Sequence, residues 1–208
     1  MVIVIRSEHG ALKEFFSKTL PKRITVIFRH AHEDLEAIGA DAYFDLIFDD
    51  ENIHTNNFIN DTPVFVNAVC CTCAEINHEN YIRLNAWNGF MQRPLTELAG
   101  SNDTYKQKAS AIFDALGWKY IWVDDDYGLV SARVISMIIN EAYFALGEGV
   151  STKEEIDIAM KLGTNYPHGP FAWSKEIGLK NIYRLLKKLN VENSRYAIAP
   201  KLIEEVLQ

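Results

Sequence analysis

Cys70, Cys71 and Cys73 crowd three thiols into four consecutive positions. Such a triplet can hold a soft metal or supply a nucleophile. Zinc ligation normally draws on a second, distant pair, and none follows here. The expected metal is therefore none. Small side chains filling a strand-to-helix turn is the plainer reading, with Cys70 or Cys71 as a reactive thiol the alternative. His9 stands beside Gly10 at an expected helix start, where an imidazole either helps to hold a phosphate or faces solvent. His30 and His32 flank Ala31 after a strand end and could pair as a base or as ligands. His168 falls in the turn Tyr166-Pro-His-Gly-Pro170, an exposed setting. Asp124-Asp-Asp126 is a charge run between two stretches of different texture, where a hinge or cap is expected before a metal site.

The elements that must position these groups are written in the hydrophobic pattern. The 208 residues are 48% apolar, enough for one large domain or two modest ones. A net charge of −7 argues against nucleic acid or an anionic membrane as partner. No apolar run reaches the roughly 18 residues of a membrane span. Met1-Val-Ile-Val-Ile5 has no basic flank and reads as a strand rather than a leader. Clustered thiols, odd in number, point to a reducing, cytoplasmic compartment.

Val2–Ile5, Ile24–Phe28, Phe44–Phe48, Val64–Val66, Tyr81–Leu84 and Tyr120–Val123 are short β-rich runs. Helical patterns lie between most of them. Ala11–Leu20 is one, stopped by Pro21; Tyr105–Leu116 is the clearest, with Gly117 as its C-cap. Strands alternating with helices predict a mostly parallel sheet covered on both faces, a shortened Rossmann-like domain over 1–125.

After Gly128 no strand pattern remains, so 126–208 reads as an all-helical domain. Leu129–Leu146 is apolar around nearly its whole circumference. Such a helix is expected to be buried on all sides, most simply in a homodimer, otherwise as a central core helix. Ser151 and Glu154 form an expected capping box. The helix they open should bury Ile156, Ala159 and Met160 and end at Gly163. Leu179, Ile182, Tyr183, Leu186 and Leu189 make a helical stripe, and Pro200 starts the last helix.

The stretch Gly149-Val-Ser-Thr-Lys-Glu-Glu-Ile-Asp-Ile-Ala-Met-Lys-Leu-Gly-Thr-Asn-Tyr-Pro-His-Gly-Pro-Phe171 closely resembles the helical C-terminal domain of the L-3-hydroxyacyl-CoA dehydrogenases. Asp126-Tyr-Gly-Leu-Val-Ser-Ala-Arg133 resembles that family's Val-Pro-Gly-Phe-Ile-Val-Asn-Arg. Asn140-Glu-Ala142 and Glu148-Gly-Val150 follow in register. Upstream, Phe65-Val-Asn-Ala-Val-Cys-Cys-Thr-Cys73 and Leu84-Asn-Ala-Trp-Asn-Gly89 are similar to family loops.

The resemblance implies an NAD-dependent oxidation of a 3-hydroxyacyl-CoA. In it a histidine takes the hydroxyl proton, and a glutamate twelve residues on orients the imidazole. Asn85 stands at the histidine position and Glu97 at the glutamate. An amide has no basic nitrogen, and Glu97 then reads equally as a surface helix charge. Cys70 replaces a substrate-contacting hydroxyl residue, and Ala132 replaces an asparagine that reaches toward substrate. Asn88 matches its counterpart. The family's glycine-rich turn after the first strand, which lets backbone approach a pyrophosphate, is here Arg6-Ser-Glu-His-Gly-Ala11. Arg6 and Glu8 are bulky there, and only Gly10 remains. Phe28-Arg-His30 lacks the acid that holds the ribose, with Glu33 the nearest. A helical hairpin that helps to grip CoA is missing between Phe28 and Phe44.

The expectation is thus a family member without normal dehydrogenase activity that binds an acyl-CoA-like small molecule and pairs with itself through its helical domain. Its expected cofactor is none, or NAD if the family site survives. An oxidoreductase of weak or altered activity and a structural interaction subunit are the rival readings.

Overall fold

The computed structural model describes residues 1–8, 16, 19–30, 35, 39–53 and 61–208. Most of the expected helix from Ala11, the positions His9, Gly10, His32 and Glu33, and seven of the fifteen residues between Phe28 and Phe44 lie outside these residues. The chain divides into two compact units, Met1–Leu129 and Val130–Gln208. The division falls beyond the expected 125/126 boundary for a physical reason. Asp125, the Asp126 carbonyl and the Gly128 N–H all bond back to the sheet unit, the last to the Val69 carbonyl at 2.8 Å.

In the first unit the described residues form a seven-stranded sheet of order β2-β1-β3-β4-β5-β6-β7. The strands are β1 Val2–Arg6, β2 Thr25–Arg29, β3 Ala42–Asp45, β4 Val64–Asn67, β5 Tyr81–Leu84, β6 Thr96–Ala99 and β7 Tyr120–Trp122. The first five are parallel, β6 runs antiparallel to β5, and β7 runs parallel to β6. Six strands were expected; β6 is the addition, and Glu97 lies on it rather than on a helix. The third strand is also earlier than expected, since the chain turns after Asp45.

Strand periodicity sends alternate residues to opposite faces, and both faces are covered. Ile3, Ile5, Phe44, Phe65 and Phe113 pack in one core cluster, while Val4, Tyr43, Val64, Val66 and Tyr81 pack in another. Two helices of this unit bear on the site. Helix α1, Cys73–Ile76, opens with a Thr72/Glu75 capping box. Helix α2, Asp103–Leu116, is capped by Asn102 and ends at Gly117, whose φ of 71° suits a residue without Cβ.

The described residues of the second unit are helical, with no strand. Helices α3 Ser131–Gly147, α4 Lys153–Thr164, α5 Pro170–Ile177, α6 Leu179–Glu192 and α7 Pro200–Val206 follow, with a short 3₁₀ turn at Ser194–Tyr196. Ile139, Ile182, Leu185, Leu186, Leu189 and Leu202 are fully buried in it. The Asn140 amide is satisfied on both sides: Nδ2 donates to the Ala197 carbonyl and Oδ1 accepts from the Ala199 N–H, each at 2.9 Å.

Three expectations for α4 are corrected here. The α4 capping box is Thr152/Glu155, one residue later than expected, because Thr152 takes the extended cap backbone. That helix runs past Gly163 to a left-handed cap at Asn165, and it has no buried residue. Helix α3 is not covered on all sides within the chain. Ile135, Ile139 and Tyr143 are buried, but Val130 and Val134 are each 52% exposed.

Candidate functional site

The carboxyl ends of the parallel strands carry the candidate residues of the first unit. From β1 the chain crosses to β2 on one side, and from β2 it crosses back past β1 to β3 on the other. In doubly wound sheets that switch point is the crevice where ligands bind. Here the strand ends on either side of it are bridged. Arg6 and Asp45 are register partners. The Arg6 guanidinium donates from Nε to Asp45 Oδ1 at 3.1 Å and pairs through its second nitrogen with Oδ2. Asp45 is nearly buried, so this is a fork-shaped ion pair rather than a loose surface contact. Glu8, just beyond, is exposed, and Gly10 lies outside the described residues.

A second group lies at the ends of β4, β5 and β6. Asn67 closes β4, and its Oδ1 accepts from the Ala86 N–H at 2.8 Å. This fixes the Leu84–Trp87 backbone. Asn85 follows β5, is 5% exposed, and accepts through Oδ1 from the Trp87 N–H at 3.0 Å. Its Nδ2 is buried and has no hydrogen-bond partner. The antiparallel register Arg83↔Ala99 and Leu84↔Leu98, carried one residue on, sets Glu97 opposite Asn85. Asn88, in the turn after it, is exposed.

The cysteine segment is a tight turn between β4 and α1. All three thiols are buried and unbridged. The Cys70 N–H donates to Asp50 Oδ2 at 2.8 Å. The Cys73 N–H donates to the Asp125 carboxylate at 2.8 and 2.9 Å. Burial, and then the Asp125 charge, push the Cys73 thiol up to about 12, which removes it as a nucleophile near neutrality. The filler reading of the triplet fits this geometry. Among the described residues no three His, Cys, Asp or Glu side chains converge as metal ligands.

Sequence reasoning passed over Arg83, the largest fully buried side chain. Its Nε donates to the Ala68 carbonyl at 2.9 Å, one terminal nitrogen pairs with Asp125, and the other donates to the Asp126 carbonyl at 3.1 Å. Burial alone would raise the Asp125 carboxyl, but the Cys73 N–H and the Arg83 charge outweigh it and hold the group below the usual carboxylate range. The acidic run after β7 therefore works as a cap and counter-ion. A charge inside a strand reads as a solvent-facing position, so nothing local signalled this.

In the helical unit Ala132 is fully buried and offers no polar atom. Two other features stand out there. Asp157 of α4 accepts from the Phe171 and Ala172 N–H groups at 2.8 and 2.9 Å, capping α5 from outside. His168 stands near Glu176, with Nε2 at 3.6 Å, and is 45% exposed, as its turn setting suggests. A largely apolar groove of about 600 Å³ runs between α3 and α4, lined by Val134, Met137, Ile138, Ile156, Met160 and Tyr196 among others.

Residues 128–208 match the model of the 3-hydroxyacyl-CoA dehydrogenase C-terminal domain. Over these residues the chain carries the 3-hydroxyacyl-CoA dehydrogenase C-terminal domain. It is 41% identical over 87 residues to the 3-hydroxyadipyl-CoA dehydrogenase of Escherichia coli (strain K12), covering 42% of this chain and 18% of that protein. It is 31% identical over 133 residues to a 3-hydroxybutyryl-CoA dehydrogenase of Clostridioides difficile, covering 62% of this chain and 47% of that protein. The chain thus spans less than half the length of these curated relatives. The crystal structure of (S)-3-hydroxybutyryl-CoA dehydrogenase from Ralstonia eutropha superposes with a TM-score of 0.72, covering 99% of this chain and 93% of that one. At 20% identity that likeness carries the fold alone: a Rossmann-like sheet unit and a helical unit.

Proposed function

We propose that this chain is a 3-hydroxyacyl-CoA dehydrogenase homologue without normal dehydrogenase activity that binds an acyl-CoA-like ligand. The Arg6–Asp45 ion pair carries this reading. A dinucleotide needs bare backbone after the first strand, so that its pyrophosphate can approach a helix start. A guanidinium clamped to the neighbouring strand stands there instead. Arg29 stands at the end of β2, where the ribose of NAD calls for an acid. These residues do not fit NAD.

Chemistry at the second group points the same way. Asn85 cannot take a proton, and general-base help is worth about 10²–10⁴ in rate. It can still hold a ligand, since the amide is a hydrogen-bond donor. Glu97 opposite Asn85 is the one observation that favours the second reading, an NAD-dependent oxidoreductase of weak or altered activity.

We place the protein in the cytoplasm as a homodimer. The exposed apolar residues of α3 and the absence of any buried residue on α4 support the dimer. No helix among the described residues is long and apolar enough to cross a membrane.

Calorimetry and thermal-shift assays with NAD, NADH, CoA and acetoacetyl-CoA test the reading. A CoA ester should raise the melting temperature at concentrations well above its dissociation constant, whereas NAD should give no measurable heat. Micromolar NAD affinity overturns the proposal and moves the second reading ahead of it.

A further inference from the structure

The helical unit holds a second cavity, of about 530 Å³, lined from α3, α4, α5 and α7. That size suits a small organic molecule. Tyr143 and Phe171 line it, both buried, with their rings edge to face at 5.0 Å. The ammonium of Lys153, the first residue of α4, lies 5.4 Å from the centre of each ring and pairs with the Glu205 carboxylate of α7. The Tyr143 hydroxyl hydrogen-bonds with Glu205 and with the Ser174 hydroxyl. Burial, and then the Glu205 charge, hold that phenol above its ordinary value, so it stays a donor. Two ring faces and a carboxylate around one ammonium are the parts of a cation seat. Lys153 fills it, but loosely. Lys153 and Glu205 are 36% and 40% exposed, and a pair so open to water adds little to stability. Helix α4 also buries no residue, so the lysine can swing into solvent at small cost. We propose that this cavity binds a linear aliphatic diamine or polyamine, with Lys153 as the displaceable occupant of its ammonium seat.

The rest of the lining calls for a second ammonium. Glu154 and Asp157 face the same cavity. Asp157 accepts one backbone N–H on each carboxylate oxygen, and each oxygen can accept again. With Lys153 out of its seat, the three carboxylates Glu154, Asp157 and Glu205 face one ammonium, that of the exposed Lys175. An anionic ligand meets that excess as repulsion, and a monoamine answers only one end of it. The resident lysine makes the reading distinctive. A seat that is occupied from within lowers the apparent affinity by the fraction of time it stands free. Removing Lys153 should therefore tighten ligand binding, which the loss of a merely structural ion pair would not do.

The test is calorimetry of the full chain with putrescine, spermidine and butylamine at one ionic strength. Putrescine and spermidine should bind more tightly than butylamine. Lys153→Ala should tighten both polyamines about tenfold, and Glu205→Gln should weaken both about tenfold. Glu148→Gln removes a carboxylate that does not line the cavity, and it should change neither. Alanine suits a helix and α4 has no core packing to lose, so Lys153→Ala keeps the fold. Absence of polyamine binding by both the wild type and Lys153→Ala at millimolar concentration overturns the proposal. An affinity that Lys153→Ala leaves unchanged does the same. So does one that Glu148→Gln weakens as much as Glu205→Gln, which is attraction to net charge alone. The site lies wholly within the helical unit and the ligands carry no CoA, so none of these outcomes bears on the acyl-CoA reading.

Discussion

Asn85 and Glu97 each lie one position beyond Leu84↔Leu98, the last register pair of β5 and β6. The two positions hold an amide and an acid, where acid–base work needs an imidazole. We predict that neither the wild type nor Asn85→His reduces acetoacetyl-CoA with NADH. The substitution returns a base beside Glu97 but leaves Arg6 clamped to Asp45 at the crevice. A stopped assay at high enzyme concentration should match the blank for both proteins. Turnover in the ordinary range of about 1–10³ per second would refute this.

Neighbouring isoleucines on α3 separate association from folding. Ile138 lines the α3–α4 groove, whereas Ile139 is fully buried in the helical core. Ile138→Glu is expected to give a folded monomer near 23.7 kDa. Ile139→Glu should fail to fold, because an unpaired buried charge costs several kcal/mol, much of a small protein's stability. Light scattering with circular dichroism distinguishes the two. Wild-type protein that is already monomeric at tens of micromolar would sink the homodimer.

Acid should loosen the sheet unit through Asp125. Its carboxyl titrates below the ordinary value in the folded chain. The stability it contributes is therefore complete above its unfolded pKa of about 3.9 and is lost as pH falls through the lower folded value. Asp125→Asn leaves Arg83 buried without its counter-ion, at a cost of about 3 kcal/mol at pH 7. Denaturant melts should show that gap narrowing as the pH is lowered toward 3. A gap that is constant with pH would mean that the Asp125 charge contributes nothing.

Gly169 is required by contact rather than by backbone angle. A Cβ added there would lie 2.3 Å from Asp157 Cγ, the side chain that caps α5. Gly169→Ala should cost about 2 kcal/mol, from crowding and a displaced cap, and lower the melting temperature by roughly 4–8 °C. Asp157→Ala alone should cost about 1 kcal/mol. The double variant should be less destabilised than the sum, since the clash is then gone. Strict additivity in a double-mutant cycle would count against the contact.

The strands β1, β4 and β5 and the helix α2 were legible because their apolar runs are continuous or periodic and end at Gly or polar residues. Strand β6 was not: Thr96-Glu-Leu-Ala99 has only two apolar residues and is held by its neighbours β5 and β7. The positions Asn85, Cys70 and Asn88 were found by resemblance, not by pattern. What escaped entirely were pairs distant in sequence. Arg6 meets Asp45 39 residues on, and Arg83 meets Asp125 42 residues on. Each of these residues by itself looks like ordinary surface charge, and only the three-dimensional pairing makes burial affordable.

The closed turn between β4 and α1 turns the cysteines into a clock. With its thiol pushed up to about 12 by burial, Cys73 stays a protonated, unreactive thiol at neutral pH. All three sulfurs are also shut away from solvent. An alkylating reagent can therefore modify them only during excursions in which this turn opens. Mass spectrometry over a time course of labelling would report how often that happens, with no probe engineered into the chain.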